Sequence, residues 1–465
     1  MAYIRFAREE KELFKLLFMC DRSNEKLEDD RESLRPLLVL LQKNLGLSED
    51  EAYLFHMETW ICAHGMATML ATSFVDWDEA LSAKCSQTPM KESKEVIQEE
   101  RGKMRKIYLD NIRWCTIILV VFFHVFFFFN NIGITTIFEG LSEYHQGDGM
   151  TFAGVYQYAV YPWFMTLLFV VAGVAAYHTL QHKTAKQFIS GRRNKLLIPS
   201  TLGVLVFGFI SGSIVVNASG AEGLQATPGF VKYIVYTLSG IGAQWFSQML
   251  FVISLLLLLV RKVVLAVQKE ERKSIQRESS VYVWLVVMFF LLWGASKLLN
   301  TPVVESYRFG IYTVAFLLGY YVFSQDIVIE VLKKWRFVST LAAVVSGVYF
   351  IYRAYGIYYG HSSLLSTWYA NLFTYCMILA IFGMFAAYGD KKNAVTEWLG
   401  KISFPVYILH IPVILIALSL LQKTALSVGV QYVIIAFAAY LFTPLAAVLI
   451  EKIPVVRYLI LGIKH

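Results

Sequence analysis

The stretch LDNIRWCTIILVVFFHVFFFFNN, residues 109–131, places Asp110, Arg113 and His124 in a run dominated by Ile, Val and Phe. A helix advances about 100° per residue, so positions eleven apart return to within roughly 20° of one direction. Arg113 and His124 stand at that spacing, and Asp110 lies within roughly 40° of His124. The three side chains therefore form one polar stripe, with His124 about 16 Å beyond Arg113 along the axis. Facing lipid, such a stripe costs several kcal/mol, so it must face protein or a water-filled cavity. Arg113 alone reads as a flanking charge that snorkels to the surface. His124 reads either as a histidine bonded to a neighbouring helix or as a functional group. The functional reading is favoured, because an imidazole that accepts and returns a proton near neutrality suits a general base acting on a hydroxyl.

Two further groups could take part. In FISGRRNKLLIPS (188–200), Arg192 and Lys195 stand three apart, followed by Pro199. They are either ordinary flanking charges or a guanidinium and an ammonium that grip the phosphates of a cytoplasmic donor. In LGKISFPVYILHIPVIL (399–415), His410 precedes Pro412 within an apolar run. It is either a bonded core histidine or part of the same cavity as His124. QWFSQMLF (244–251) reads as interfacial anchoring of a span. The five cysteines lie far apart without C-x-x-C spacing, so neither a disulfide framework nor a metal site is expected.

These residues need helices long enough to hold them inside a membrane. The 465-residue chain is 57% hydrophobic and only 16% charged, against about a quarter charged for a soluble protein. Its apolar residues fall in blocks, which predict an all-α, polytopic membrane protein preceded by a small soluble helical segment. Ten spans are expected near 112–131, 156–180, 196–216, 245–263, 281–299, 305–324, 337–357, 364–388, 402–421 and 429–450. Alternate connections carry the positive charge, among them Lys183 to Lys195, Arg261 to Arg277, Lys333 to Arg336, and Lys391 to Lys401. The intervening loops, such as NIGITTIFEGLSEYHQGDGM, have no Lys or Arg. Positive residues stay cytoplasmic, so a multi-pass protein of the cell membrane with both termini inside is expected. This bias explains the net charge of +8 without a nucleic-acid partner.

Composition changes near residue 105. Residues 1–85 read as a soluble helical segment, 86–106 as a charged linker, and 107–465 as the membrane domain. EAYLFHMETWICAHGMATMLATSF (51–74) is apolar but interrupted by His56, Glu58 and His64, so it is expected to be a soluble helix. With AYIRFAREEKELFKLLFM and LGLSEDEAYLFHMETWICAHGMATMLATSFVDWD, the first segment resembles the C-terminal, ligand-binding and dimerisation half of TetR-type regulators. No helix-turn-helix is legible before it and no final dimer-packing helix after Asp78, so a DNA-binding repressor is not expected.

The membrane part resembles the integral-membrane acyltransferase 3 family. YLDNIRWCTIILVVFFH, RRNKLLIP, QWFSQML, FGIYTVAFLLGYY and LGKISFPVYILH carry the resemblance by their order and spacing. It implies His124 as the catalytic residue, and the family's arginine and basic pair map to Arg113 and to Arg192 and Lys195. From their own chemistry Arg113, Arg192 and Lys195 are expected to bind the acyl donor, with Asp110 and His410 in support. The family's second basic position is usually arginine, and Lys195 lacks that planar fork. The resemblance also implies that an acetyl or other short acyl group moves from cytoplasmic acyl-CoA, the donor substrate, to a hydroxyl of a carbohydrate or glycolipid. No bound cofactor is expected, and membrane lipid is the expected surrounding. Two rival readings are a transporter or flippase for a glycan or lipid, and a membrane-tethered sensor.

Overall fold

The computed structural model describes residues 2–19, 31–74, 106–128, 149–220, 227–267, 277–300, 307–422 and 424–462. The chain divides into two compact units, Met1–Lys106 and Ile107–His465. Most of the charged stretch 86–106, the loop at 129–148 with His145, and the segment after Phe74 fall outside the described residues.

The first unit contains α1 (Ala2–Glu9), α2 (Lys11–Phe18), α3 (Arg31–Leu45) and α4 (Glu49–Ala71). A capping box starts α4: the Ser48 side chain accepts from Glu51 N, and Glu51 Oε2 accepts from Ser48 N. This reciprocal pair satisfies two amide groups that a helix start leaves unbonded. Phe14 packs with Ala7, Ala67 and Ala71, while Leu38 packs with Leu47, Ala52 and Phe55. Tyr3 O–H meets His64 Nδ1 at 2.7 Å. α4 is not among the described helices long and apolar enough to cross a membrane.

The second unit is a helical bundle: α5 (Ile107–Phe127), α6 (Phe152–His182), α7 (Ala185–Ala218), α8 (Gly229–Ser239) and α9 (Trp245–Val267) come first. They are followed by α10 (Glu278–Ala295), α11 (Phe309–Phe323), α12 (Asp326–Lys334), α13 (Arg336–Ala354) and α14 (Trp368–Tyr388). The last are α15 (Ala394–Leu421), α16 (Val428–Glu451) and α17 (Pro454–Leu461). Among the described residues nine helices are long and apolar enough to cross a membrane, and α11 with α12 makes up to ten. This matches the ten spans expected from length and apolarity. The sixth differs in its end, since α12 turns 94° away from α11. Its Val328, Ile329, Val331 and Leu332 are buried whereas Glu330 is exposed, the pattern of an amphipathic helix.

Buried share separates the middle of the bundle from its rim. It is 78% along the apolar window of α6 but 22–28% for α10, α13 and α16. Glycine lets α6 and α11 touch backbone to backbone. A Cβ on Gly173 would overlap Phe316 O, and one on Gly319 would overlap Val170 O. Close backbone approach of this kind is how membrane helices associate when lipid supplies no hydrophobic drive.

Hydrogen bonds tie alternate helix ends together at one end of the bundle. Asn111 Nδ2 donates to Gly389 O at 2.6 Å, Arg336 Nε to Tyr388 O–H at 3.2 Å, and Lys334 Nζ pairs with Glu278 at 3.1 Å. The starts of α5, α10, α13 and α15 share that end with the close of α14. The start of α11 and the start of α14 lie at the opposite end.

Candidate active site

Two members of the polar stripe of α5, Arg113 and His124, meet α15. Arg113 Nη2 donates to Gly400 O at 3.1 Å and pairs with Asp110 Oδ1 at 3.0 Å. Further along the axis, His124 Nδ1 lies 3.3 Å from His410 Nε2, with ring centroids 4.9 Å apart. The helical spacing of Arg113 and His124 thus places both side chains against α15, which carries Gly400 and His410.

Carbonyl oxygens only accept, and this fixes both imidazoles. His124 Nδ1 lies 2.8 Å from Val120 O, and His410 Nδ1 lies 2.8 Å from Tyr407 O. Each Nδ1 therefore carries the proton. His410 Nε2 is left with a lone pair, and it faces the His124 Nδ1–H. That N–H is shared between Val120 O and His410. His124 Nε2 also keeps a lone pair and makes no hydrogen bond among the described residues. His410 is fully enclosed, whereas His124 is half-buried. A neutral imidazole with a free Nε2 and an anchored Nδ1–H is arranged to take a proton from a hydroxyl.

Aromatic rings line the neighbourhood of the pair. Phe123 and Phe127 flank His124, and Tyr407 lies 5.8 Å from His410. Phe123 also meets Tyr161 at 5.4 Å and Tyr359 at 5.7 Å. Burial holds the Tyr359 hydroxyl well above its ordinary titration range, and it takes a hydrogen bond from Gln157 Nε2 at 3.0 Å. It is a neutral group at any physiological pH.

The basic motif lies inside α7, not in a loop before it. Ala185–Arg192 is α-helical, Arg193–Leu197 is a π turn, and the α-helix resumes at Ile198. Proline explains part of the irregularity, since Pro199 lacks the N–H that would bond Lys195 O. Widened turns of this kind recur at functional sites. Arg192 is half-buried over the Phe188 ring at 5.1 Å, and Lys195 is exposed. Lys195 stands within electrostatic range of Arg192, Lys183 and Arg113. The structure thus brings Arg113, Arg192 and Lys195 into one basic cluster at the end of the bundle where α5 and α15 start.

QWFSQMLF is a buried packing motif and not an interfacial anchor. Gln244 and Ser247 are enclosed, Gln248 Nε2 donates to Ser200 O at 3.3 Å, and a Cβ on Gly203 would meet the Gln244 amide at 3.1 Å. Amides placed to serve α7 cannot also sit among headgroups. His361 is exposed and His178 half-buried.

Sequence reasoning passed over Asn111, Gly400 and Arg308. Asn111 holds Gly389 O and Lys391 O at the end of α14, and its Oδ1 accepts from Trp114 Nε1. Its place beside Asp110 in the first turn of an apolar helix was the available signal. Arg308 had another: it is the single cation at the start of the apolar run FGIYTVAFLLGYY. Among the described residues, no three His, Cys, Asp or Glu side chains are grouped to hold a metal ion.

Comparison with known proteins follows the two units. The C-terminal domain of tetracyclin repressor-like proteins matches residues 1–85, and an acyltransferase domain matches residues 106–452. No curated protein and no solved structure matches the chain. Because the second match runs from the start of α5 through the end of α16, and takes in the histidine pair and the basic cluster, the chain belongs to the acyltransferase 3 family and is a membrane acyltransferase.

Proposed function

We propose that this enzyme takes an acetyl or other short acyl group from cytoplasmic acyl-CoA and gives it to a hydroxyl of a cell-envelope or exported carbohydrate. The observation that carries the proposal is the free Nε2 of His124 at membrane depth, above a basic cluster. Arg192 and Lys195 hold donor phosphates, and Arg113, oriented by Asp110, completes the grip. The alternation of basic connections puts this end in the cytoplasm, where acyl-CoA is found.

His124 Nε2 takes the proton of the acceptor hydroxyl as its oxygen attacks the thioester carbonyl. The new C–O bond forms, the C–S bond breaks, and CoA leaves as a thiolate that receives the proton back from His124. His410 orients this ring through the His124 Nδ1–H and stabilises the imidazolium that forms. No charge is left buried at the end of the cycle.

Membranes containing the protein are incubated with labelled acetyl-CoA, and cell-envelope fractions are separated. Label is expected in a carbohydrate-bearing fraction with the wild type and at background with His124→Ala at equal expression. Equal label with both proteins would overturn the proposal.

A further inference from the structure

Arg308 lies at the start of α11, at the opposite end of the bundle from the basic cluster, and is 3% exposed. Its Nη2 donates to Leu365 O at 3.1 Å, an oxygen already taken by Asn371 Nδ2 at 3.0 Å. The Tyr312 hydroxyl is its other polar contact. Its Nε is buried without an acceptor, and no carboxylate pairs with it among the described residues. An enclosed guanidinium with an unmet donor is destabilising unless an anion completes it. The amide groups that open a helix favour negative charge at the same place.

The surroundings connect this cation to the histidine pair. Tyr161 lies within electrostatic range of Arg308 and 5.4 Å from Phe123, whose ring is 5.1 Å from His124. On the other side, Trp245 meets Tyr307 and Tyr312 at 5.8 and 5.6 Å. Both tyrosines are within electrostatic range of Tyr407, which adjoins His410. Aromatic faces with one fixed cation suit a sugar ring that bears an oxyanion.

We infer that Arg308 binds a carboxylate or phosphate carried by the acyl acceptor, so that the acceptor is an anionic carbohydrate. A guanidinium presents two parallel N–H groups to such an oxyanion. This rests on the proposed transfer reaction, but it is tested without turnover. The detergent-solubilised full chain is titrated with D-glucuronate, inorganic phosphate and D-glucose at constant ionic strength, and thermal unfolding is followed. Glucuronate or phosphate is expected to raise Tm saturably and glucose is not; the anion that acts identifies the group. Arg308→Gln should weaken the effect about tenfold or more, Arg308→Lys should keep part of it, and Lys334→Ala, which removes an exposed cation at the other end of the bundle, should leave it intact. An absent anion effect in the wild type, or one kept at full strength in Arg308→Gln, would overturn the inference. Labelled acetyl-CoA transfer on the same preparation shows separately whether the reaction itself has been assigned correctly.

Discussion

His410 Nε2 stands 3.3 Å from His124 Nδ1, so a residue of α15 supplies a second acceptor, beside Val120 O, for the proton on the inner nitrogen of an α5 histidine. Of the two rings, only His124 keeps a ring nitrogen without a hydrogen bond among the described residues.

The division of labour between the rings can be tested by substitution. His124→Ala should lower acyl transfer by about two to four orders of magnitude, the usual contribution of a general base. His410→Leu removes the acceptor at Nε2 and should cost less, since Val120 O still holds the His124 Nδ1–H. His410→Gln can return an oxygen there and should recover part of that loss. Combining His410→Leu with His124→Ala should add nothing further. A double variant much slower than His124→Ala alone would give His410 an independent role.

The stripe on α5 was legible because helical period converts a spacing of eleven into a shared face. The spans were legible because hydrocarbon thickness sets their length. His410 could be seen as a buried histidine but not as the partner of His124, since no local pattern links positions 286 apart. The basic motif reads as a connection in sequence but lies within α7, because a π turn is set by how Pro199 and its neighbours pack. QWFSQM misled because amides beside aromatics look alike at an interface and in a helix crossing. Arg308 escaped attention because a single cation at the start of an apolar helix has no period, and no carboxylate pairs with it among the described residues.

Magnitude separates the roles of Asp110 and Arg113. Their ion pair is partly exposed, with side chains 21% and 40% accessible, and such pairs contribute ~0–1 kcal/mol. Asp110→Asn should therefore raise KM for acyl-CoA no more than about fivefold, because Gly400 O still holds Arg113. Arg113→Ala removes the cation itself and should raise it further. Steady-state kinetics on both variants decides; equal damage would give Asp110 a role beyond orientation.

Lys195 is exposed, so its grip on phosphate should be screened by salt. Lys195→Ala should raise KM for acyl-CoA at low ionic strength and flatten the dependence of KM on salt, with kcat little changed. Lys195→Arg restores a planar fork and should bind at least as well as the wild type. A fall in kcat at unchanged KM would place Lys195 outside donor binding.

The crossing of α6 and α11 should tolerate no side chain. A Cβ on Gly173 would stand 2.9 Å from Tyr320 N as well as against Phe316 O, and backbone cannot move aside as a flexible side chain can. Gly173→Ala or Gly319→Ala should destabilise the bundle by ~1–3 kcal/mol, seen as a lower Tm in detergent. Gly294→Ala has open space around its added Cβ and is the control. An unchanged Tm for both crossing variants would mean that the two backbones are not in contact.

The helix after the matched domain also bears on the basic cluster. Gly462 closes α17 with φ +67°, and a Cβ there would lie 2.7 Å from Asn194 O and 2.9 Å from Lys195 Cα. A left-handed conformation against another backbone admits glycine readily and a branched residue poorly. Gly462→Val should thus lift the C-terminal segment from the π turn that carries Lys195. The bundle itself should stay folded, since the crossing of α6 and α11 is untouched. The expected result is earlier proteolytic clipping near residue 462 together with an altered KM for acyl-CoA and an unchanged Tm. Clipping without any change in KM would show that α17 rests on the donor end of the enzyme without influencing it.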